Sequence, residues 1–461
     1  MNESPSSPSP HRQASRVGSI DWYHALPFLT IFGAVHAGLR PSRIGLAFVL
    51  LLAVVAMGRL WDGFSPPTFA PEGLFAGPLK EKTLVDSQDS VRSIVIPDLR
   101  PEDRSAASTA SLAALSEMLE SAAQSGTVPS LDASRYSTLA RMIDAARPRS
   151  SFEAMNEAVR VSFYGLVGSV LRADVQSAIV AGKALFVGVP IACWNAAPWF
   201  TIYFTIGWWM VVGWGGGVLC RVSAGDLSSR HWSIAKASEF IKPRTSTLII
   251  APLFALALGF VLWVPAWILG FLGNLPLFDI VVGALFVIAL AFGALSALVI
   301  FVALVGSPLI APAVACDGCD AVESLQRAGA YMLARPLHLI CYLILSVVVI
   351  ALGTVAADFG ATAMWAFARG AYDSASGEPA LSAVGALRFL EPYNSPQPMI
   401  LGMTQSATAS FIDMWRTILC LLIGACAMSI AASCATRSYL LVRSSADGQD
   451  LCDLWEDAPR A

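Results

Sequence analysis

The chain of 461 residues is 56% hydrophobic and only 14% charged, whereas an ordinary globular domain carries about 25% charged residues. With a mean hydropathy of +0.62, that balance excludes a water-soluble globule and makes lipid the solvent. The formal net charge of -3, with no basic block, offers no case for nucleic acid as a partner.

Residues 1–25 are rich in Ser and Pro, carry His11, Arg12 and Arg16 and contain no apolar h-region. They read as a disordered tail and not as a cleavable signal peptide. The apolar stretch 26–39, broken by His36, reads as an interfacial helix that leads into a first span at 44–58, so 26–62 forms one unit. A polar segment, 63–189, follows and opens on a linker with Pro66, Pro67, Pro71 and Pro78. Three helical patterns lie within it: a stripe of Leu112, Leu115 and Leu119, a second of Leu131, Leu139, Met142, Ile143 and Ala146, and a longer amphipathic run over 152–181 that begins after Pro148. Two readings stand for this segment. It is a small helical domain or lid, or a pair of helices lying on the membrane surface, because 164–171 and 178–191 are apolar enough to graze lipid.

Further spans are predicted at 199–219, 247–271, 280–305, 337–357 and 417–436, which places the rest of the bundle in 190–440 and leaves 441–461 as a tail. The expected fold is therefore all-α, a helical membrane bundle of about six spans with a helical extracytoplasmic segment after the first. Basic residues set the orientation. Arg40 and Arg43 precede the first span; Arg221, Arg230, Lys236, Lys242 and Arg244 join the second and third; Arg327 and Arg335 join the fourth and fifth; Arg437 and Arg443 follow the sixth. All fall on one side, so both termini and both tails are expected in the cytoplasm, with 63–189 outside.

The loop after the second span, Ser233-Ile-Ala-Lys-Ala-Ser-Glu-Phe240, aligns with Ser324-Leu-Gln-Arg-Ala-Gly-Ala-Tyr331 after the fourth. In the same register Asp226 matches Asp317, Lys236 matches Arg327 and Arg244 matches Arg335. Each copy reads as a polar turn, an amphipathic helix and an arginine at the start of the next span, either through duplication or because helices at an interface share requirements.

Several segments carry a resemblance: Leu26-Pro-Phe-Leu-Thr-Ile-Phe32 with Leu39-Arg-Pro-Ser-Arg43 at the start, 315–331 with Ala334-Arg-Pro336 in the middle, and Tyr439-Leu-Leu-Val-Arg443 with Asp447-Gly448 at the end. Together they resemble a family of uncharacterised bacterial membrane proteins with five or six spans. The resemblance implies a polytopic helical fold and no particular activity. That family's central loop reads Glu-Gly-Ser-Asp, whereas this chain has Cys316-Asp-Gly-Cys319-Asp320, which makes the two cysteines incidental.

Residues with chemical potential are few. Ionisable groups inside lipid are costly and usually functional; the predicted spans contain only His338, one turn from a basic span end, where an interfacial role is expected. Cys316 and Cys319 form a C-x-x-C, but a zinc site needs two further ligands, and a cytoplasmic thiol pair stays reduced. Cys220 and Cys434 are the other cysteines near basic span ends. Glu117, Glu120 and Asp144 fit solvated helix faces. The glycines of Gly213-Trp-Gly-Gly-Gly217 and the stripe Ala289, Gly293, Ala297 permit close helix packing, within the chain or in a dimer. Pro252 and Pro265 free carbonyls that can line a cavity. No catalytic, cofactor-binding or metal-binding residue is assigned. The expected function is a non-enzymatic accessory, scaffold or assembly component that contacts membrane lipid and a protein partner or second copy; the alternative is a small-solute or lipid transporter built from two related helical units.

Overall fold

A computed structural model describes residues 27–65, 69, 73–77, 89, 93, 95–99, 115, 119, 136, 139, 143, 149–274, 278–376 and 403–456. A 3-10 turn, Pro27–Ile31, leads into α1 (Gly33–Gly38) and α2 (Pro41–Phe64). Then come α3 (Ser151–Leu171), α4 (Val175–Ala196, π-helical over Ala184–Gly188) and α5 (Pro198–Leu227). The chain continues through α6 (Ile234–Ile241), α7 (Thr245–Leu272), α8 (Phe278–Asp317), α9 (Ala321–Ala334), α10 (Pro336–Ser376) and α11 (Met403–Asp447). Among the described residues there is no strand, only an isolated bridge pairing Phe69 with Arg149. The fold is an all-α helical membrane bundle, and among the described residues seven helices are long and apolar enough to cross a membrane, one more than the spans read from the sequence.

Every predicted span lies inside a longer helix, because apolar windows end where polar residues enter while the hydrogen-bond ladder continues to a breaker. Pro41, Pro198 and Pro336 stand at helix starts, where a missing N–H costs nothing. The predicted amphipathic run over 152–181 is two helices. They reverse at Ala173, whose φ of 54° is left-handed, and α4 starts on Asp174, whose carboxylate accepts from the Ser177 hydroxyl at 2.6 Å and from the Ser177 N–H at 3.1 Å. These bonds hold the exposed Asp174 carboxyl below the usual carboxylate range.

Arg43 on α2 bonds the Val222 carbonyl on α5 and Ser433 on α11, so these three residues mark one level at the basic end. Gly58 stands about 22 Å up α2 from that level, and Cys420 about 20 Å up α11, at about 1.5 Å per residue. The start of α3 touches the first of these heights. Phe152 packs where a Cβ on Gly58 would sit and against Phe204 at 5.8 Å, and Asp62 accepts from Ser150 (2.6 Å) and from the Phe152 N–H (3.0 Å). Tyr164, three turns on, touches the second, packing against the buried pair Ala361 and Ile423 together with Leu419 and Cys420. Both contact sets are at one height, so α3 lies across the bundle axis. The α4 helix packs back along α3 and joins α5 through Ala197. It runs through residue 189, where the sequence reading ended the outer segment.

The rest of that segment is sparsely described: Leu115, Leu119, Tyr136, Leu139 and Ile143 are helical and buried. Leu112, Leu131, Met142, Ala146, Pro66, Pro67, Pro71 and Pro78 lie outside the described residues, as does the tail 1–25. The stretch 26–39 is shorter in helix than expected and is tucked into the bundle. Ile31, Ala34 and Val349 share a core cluster with Ile430 and Leu441, while Phe28 and Phe32 face outward.

Candidate functional site at the basic end

Two aspartates, each at the end of a long helix, collect two arginines apiece. Asp226, in the last turn of α5, accepts from Arg40 at 2.7 Å and from Arg43, which is fully enclosed. His231 stands 3.6 Å away. Asp317, the last residue of α8, accepts from Arg327 and Arg443, each at 2.5 Å, and from the Tyr439 hydroxyl. A carboxylate at a helix C-terminus opposes the helix dipole; two guanidinium groups on each acid offset that and satisfy the charge away from water.

The end of the chain is strapped over these locks. Gly448, at φ 68°, ends α11 and lets the chain reverse. Arg443 then donates to the carbonyls of Asp450 (2.9 Å) and Asp453 (2.6 Å). Leu454 is buried in the core, and Trp455 donates its N–H to the Cys316 carbonyl at 2.8 Å. Arg221 completes the strap. Its guanidinium sits 3.8 Å from the rings of both Trp232 and Phe240 and donates to the carbonyls of Ala315 (2.8 Å) and Trp455 (2.6 Å). Gly318 is required here twice, by its φ of 68° and because a Cβ would stand 2.9 Å from the Trp455 ring. Residues 441–447, read as tail, are the last turns of α11, and 448–456 are docked.

The aligned loops agree in register at their boundaries. Asp226 and Asp317 each stand within a residue of a helix end, and Thr245 and Pro336, which match, begin the next helices. Ala237 and Ala328, also matched, are both buried. The amphipathic helices themselves differ. Ser233 caps α6 by accepting from the Lys236 N–H at 3.3 Å, whereas α9 starts a turn earlier in register on Asp320, which accepts from the Glu323 N–H at 2.8 Å. Phe240 is covered by arginines, while Tyr331 donates to Asp447 at 2.5 Å. Burial and that bond raise the Tyr331 hydroxyl pKa, which keeps it a donor.

Cys316 and Cys319 are both buried, and burial pushes the Cys319 thiol up to about 12, so it is protonated and a poor metal ligand at neutral pH. Cys220 and Cys434 are buried separately, beside Val222 and beside Ile430. Among the described residues no group of three or more His, Cys, Asp and Glu is arranged to hold a metal. His338 is exposed, edge-on to Tyr342 at 6.3 Å. Glu117, Glu120 and Asp144 lie outside the described residues.

Two glycines of the α5 motif serve packing within the chain, Gly215 receiving Leu50 of α2 and Gly217 receiving Leu248 and Ile241, while Gly216 meets nothing within 4 Å. In α8 the contact with α7 is made by Ser296, which donates to the Gly259 carbonyl at 2.8 Å, and by Ile300, while Gly293 of the small-residue stripe meets nothing within 4 Å. Pro252 does line a cavity, about 180 Å³, with Trp209, Gly213, Leu248, Ser307, Ile310 and Ala311. It is mainly apolar and flanked by the half-buried Trp209 and the exposed Ser307.

One residue was missed by sequence reasoning. Asp358 lies inside the apolar helix Pro336–Tyr372, just past the predicted span end at 357, and is buried with Oδ1 unpartnered. The available signal was the absence of any helix breaker for many residues after it. No family model, curated protein or solved structure matches the chain.

Proposed function

We propose that this chain is a non-enzymatic scaffold or assembly component of a bacterial cytoplasmic membrane, with its basic end and both termini in the cytoplasm. The observation that carries the reading is the closed basic end. Both aspartates are consumed by two arginines each, and the terminal strap ties α5, α8 and α11 together. Such a device holds helices at fixed spacing. In this orientation α3 and α4 lie along the outer membrane surface, where Val175, Ile179, Phe186, Ile191 and Trp194 are exposed to lipid or to a partner's spans.

The second reading, a small-solute or lipid transporter of two related units, is favoured by the matched helix boundaries and by the Pro252 cleft. Purification from the native membrane in mild detergent, with identification of co-purifying proteins and lipids, separates the two. A stoichiometric protein partner or stable homo-oligomer is the result expected of a scaffold. A monomer with no partner that moves a solute or lipid across reconstituted vesicles would overturn it.

A further inference from the structure

We propose that Asp358 is a proton-binding site inside the membrane, roofed by α3. Asp358, Ala361 and Trp365 share one face of α10, and that face meets Tyr164 of α3 and Leu419, Cys420 and Ile423 of α11. Two polar atoms in this pocket are buried without a partner, the Asp358 Oδ1 and the Trp365 indole Nε1. Gly353 of α10 packs against Ile430, three residues above Ser433 on α11, so by the helix rise of about 1.5 Å per residue Asp358, five residues further on, stands about 12 Å above the level marked by Arg43 and Ser433.

An ionised carboxylate held there with an oxygen unsatisfied and no described basic side chain paired to it is strongly disfavoured. Binding a proton removes the charge and supplies a hydroxyl donor. The ligand set argues against a metal cation, because a hard ion needs about six oxygen ligands. This pocket offers one carboxyl, the Tyr164 hydroxyl and a cysteine sulfur. The charged and titratable groups that face it are Arg160 and Tyr164 from α3, and Cys420 from α11 with Arg416 and Asp413 further out, which pair with each other at 2.6 Å. Arg160 is exposed, one turn from Tyr164, and acts with Asp358 on the Tyr164 hydroxyl.

Infrared spectroscopy of the full chain in lipid vesicles tests this without requiring reagent access. At neutral pH the protein shows a C=O stretching band of a protonated carboxylic acid. The band is lost in Asp358→Asn, displaced in Asp358→Glu, and disappears reversibly as pH is raised. Asp226 and Asp317, each paired with arginine, contribute nothing to it. A wild-type spectrum with no such band at neutral pH overturns the proposal, as does a band unchanged in both variants. A band abolished by sodium at constant pH identifies a cation site and overturns it equally. The inference requires that α10 cross lipid and is independent of the scaffold reading, whose partner capture is a separate measurement.

Discussion

An aspartate placed last in a helix works against the helix dipole, and Asp226 and Asp317 persist there because each is held by two guanidinium groups. The worth of such a lock lies in what its loss leaves behind. Asp317→Leu strands Arg443, whose side chain is 2% exposed, and is expected to destabilise the protein by about 3–5 kcal/mol. Adding Arg443→Met removes the stranded charge, so the double variant should unfold at a higher temperature in detergent than Asp317→Leu alone. Equal or lower stability of the double variant would mean that Arg443 acts mainly through the Asp450 and Asp453 carbonyls. Every charged member of this site is visible as a residue type in the sequence, and the repeat even pairs Asp226 with Asp317. Who bonds whom is not visible, since Arg43 and Arg443 reach their acids across 183 and 126 positions of chain.

At the scale of elements, close approach decides what each helix tolerates. A Cβ on Gly38 of α1 would stand 2.8 Å from the Ile430 Cα, a backbone atom of α11 that has no rotamer to give. Ser429 also donates to the Gly38 carbonyl at 2.8 Å, fixing that approach. Gly45, one turn into α2, meets nothing within 4 Å. Gly38→Ala is therefore expected to cost about 1–3 kcal/mol by overpacking. Gly45→Ala should be neutral or slightly stabilising, since alanine is the better helix former. Thermal unfolding of the two variants side by side measures the difference, and equal effects would show that α1 is free to move off α11. Gly38 ends α1 just before Pro41 and Gly45 lies inside α2, yet neither setting shows the close approach to Ile430, which only the partner helix imposes.

The whole molecule turns on whether α4 crosses the membrane or lies on it. Composition permits crossing, for Val175–Ala196 is 22 residues long and apolar enough to span. Geometry argues for lying flat, because α3 touches α2 and α11 at one height and α4 packs along α3. Single cysteines at Ala173 and Asn195, both exposed, placed in a chain freed of its native cysteines, are expected to react with an impermeant maleimide from the same side, opposite to one at Lys236. Reaction of Ala173 and Asn195 positions from opposite sides would make α4 a seventh span and put the two termini on different faces.

Apolar content and the spacing of prolines and basic residues were enough, read along the chain, to establish an all-α membrane bundle, to place a core of every long helix except α4, and to align the loops around Lys236 and Arg327. Those properties are local: a backbone in lipid must bond to itself, and a run of about 20 apolar residues announces that wherever it occurs. The same reading ended α10 at 357 and so put Asp358 outside the membrane, treated 152–181 as one helix, and left 441–461 as a tail. Each of these depends on a partner distant in sequence. Asp358 is buried by α3 and α11, Phe152 is seated in the space left by Gly58, and the strap is held by Arg221 and Arg443. Burial and pairing are set by which surfaces meet, and that is decided only when the helices pack.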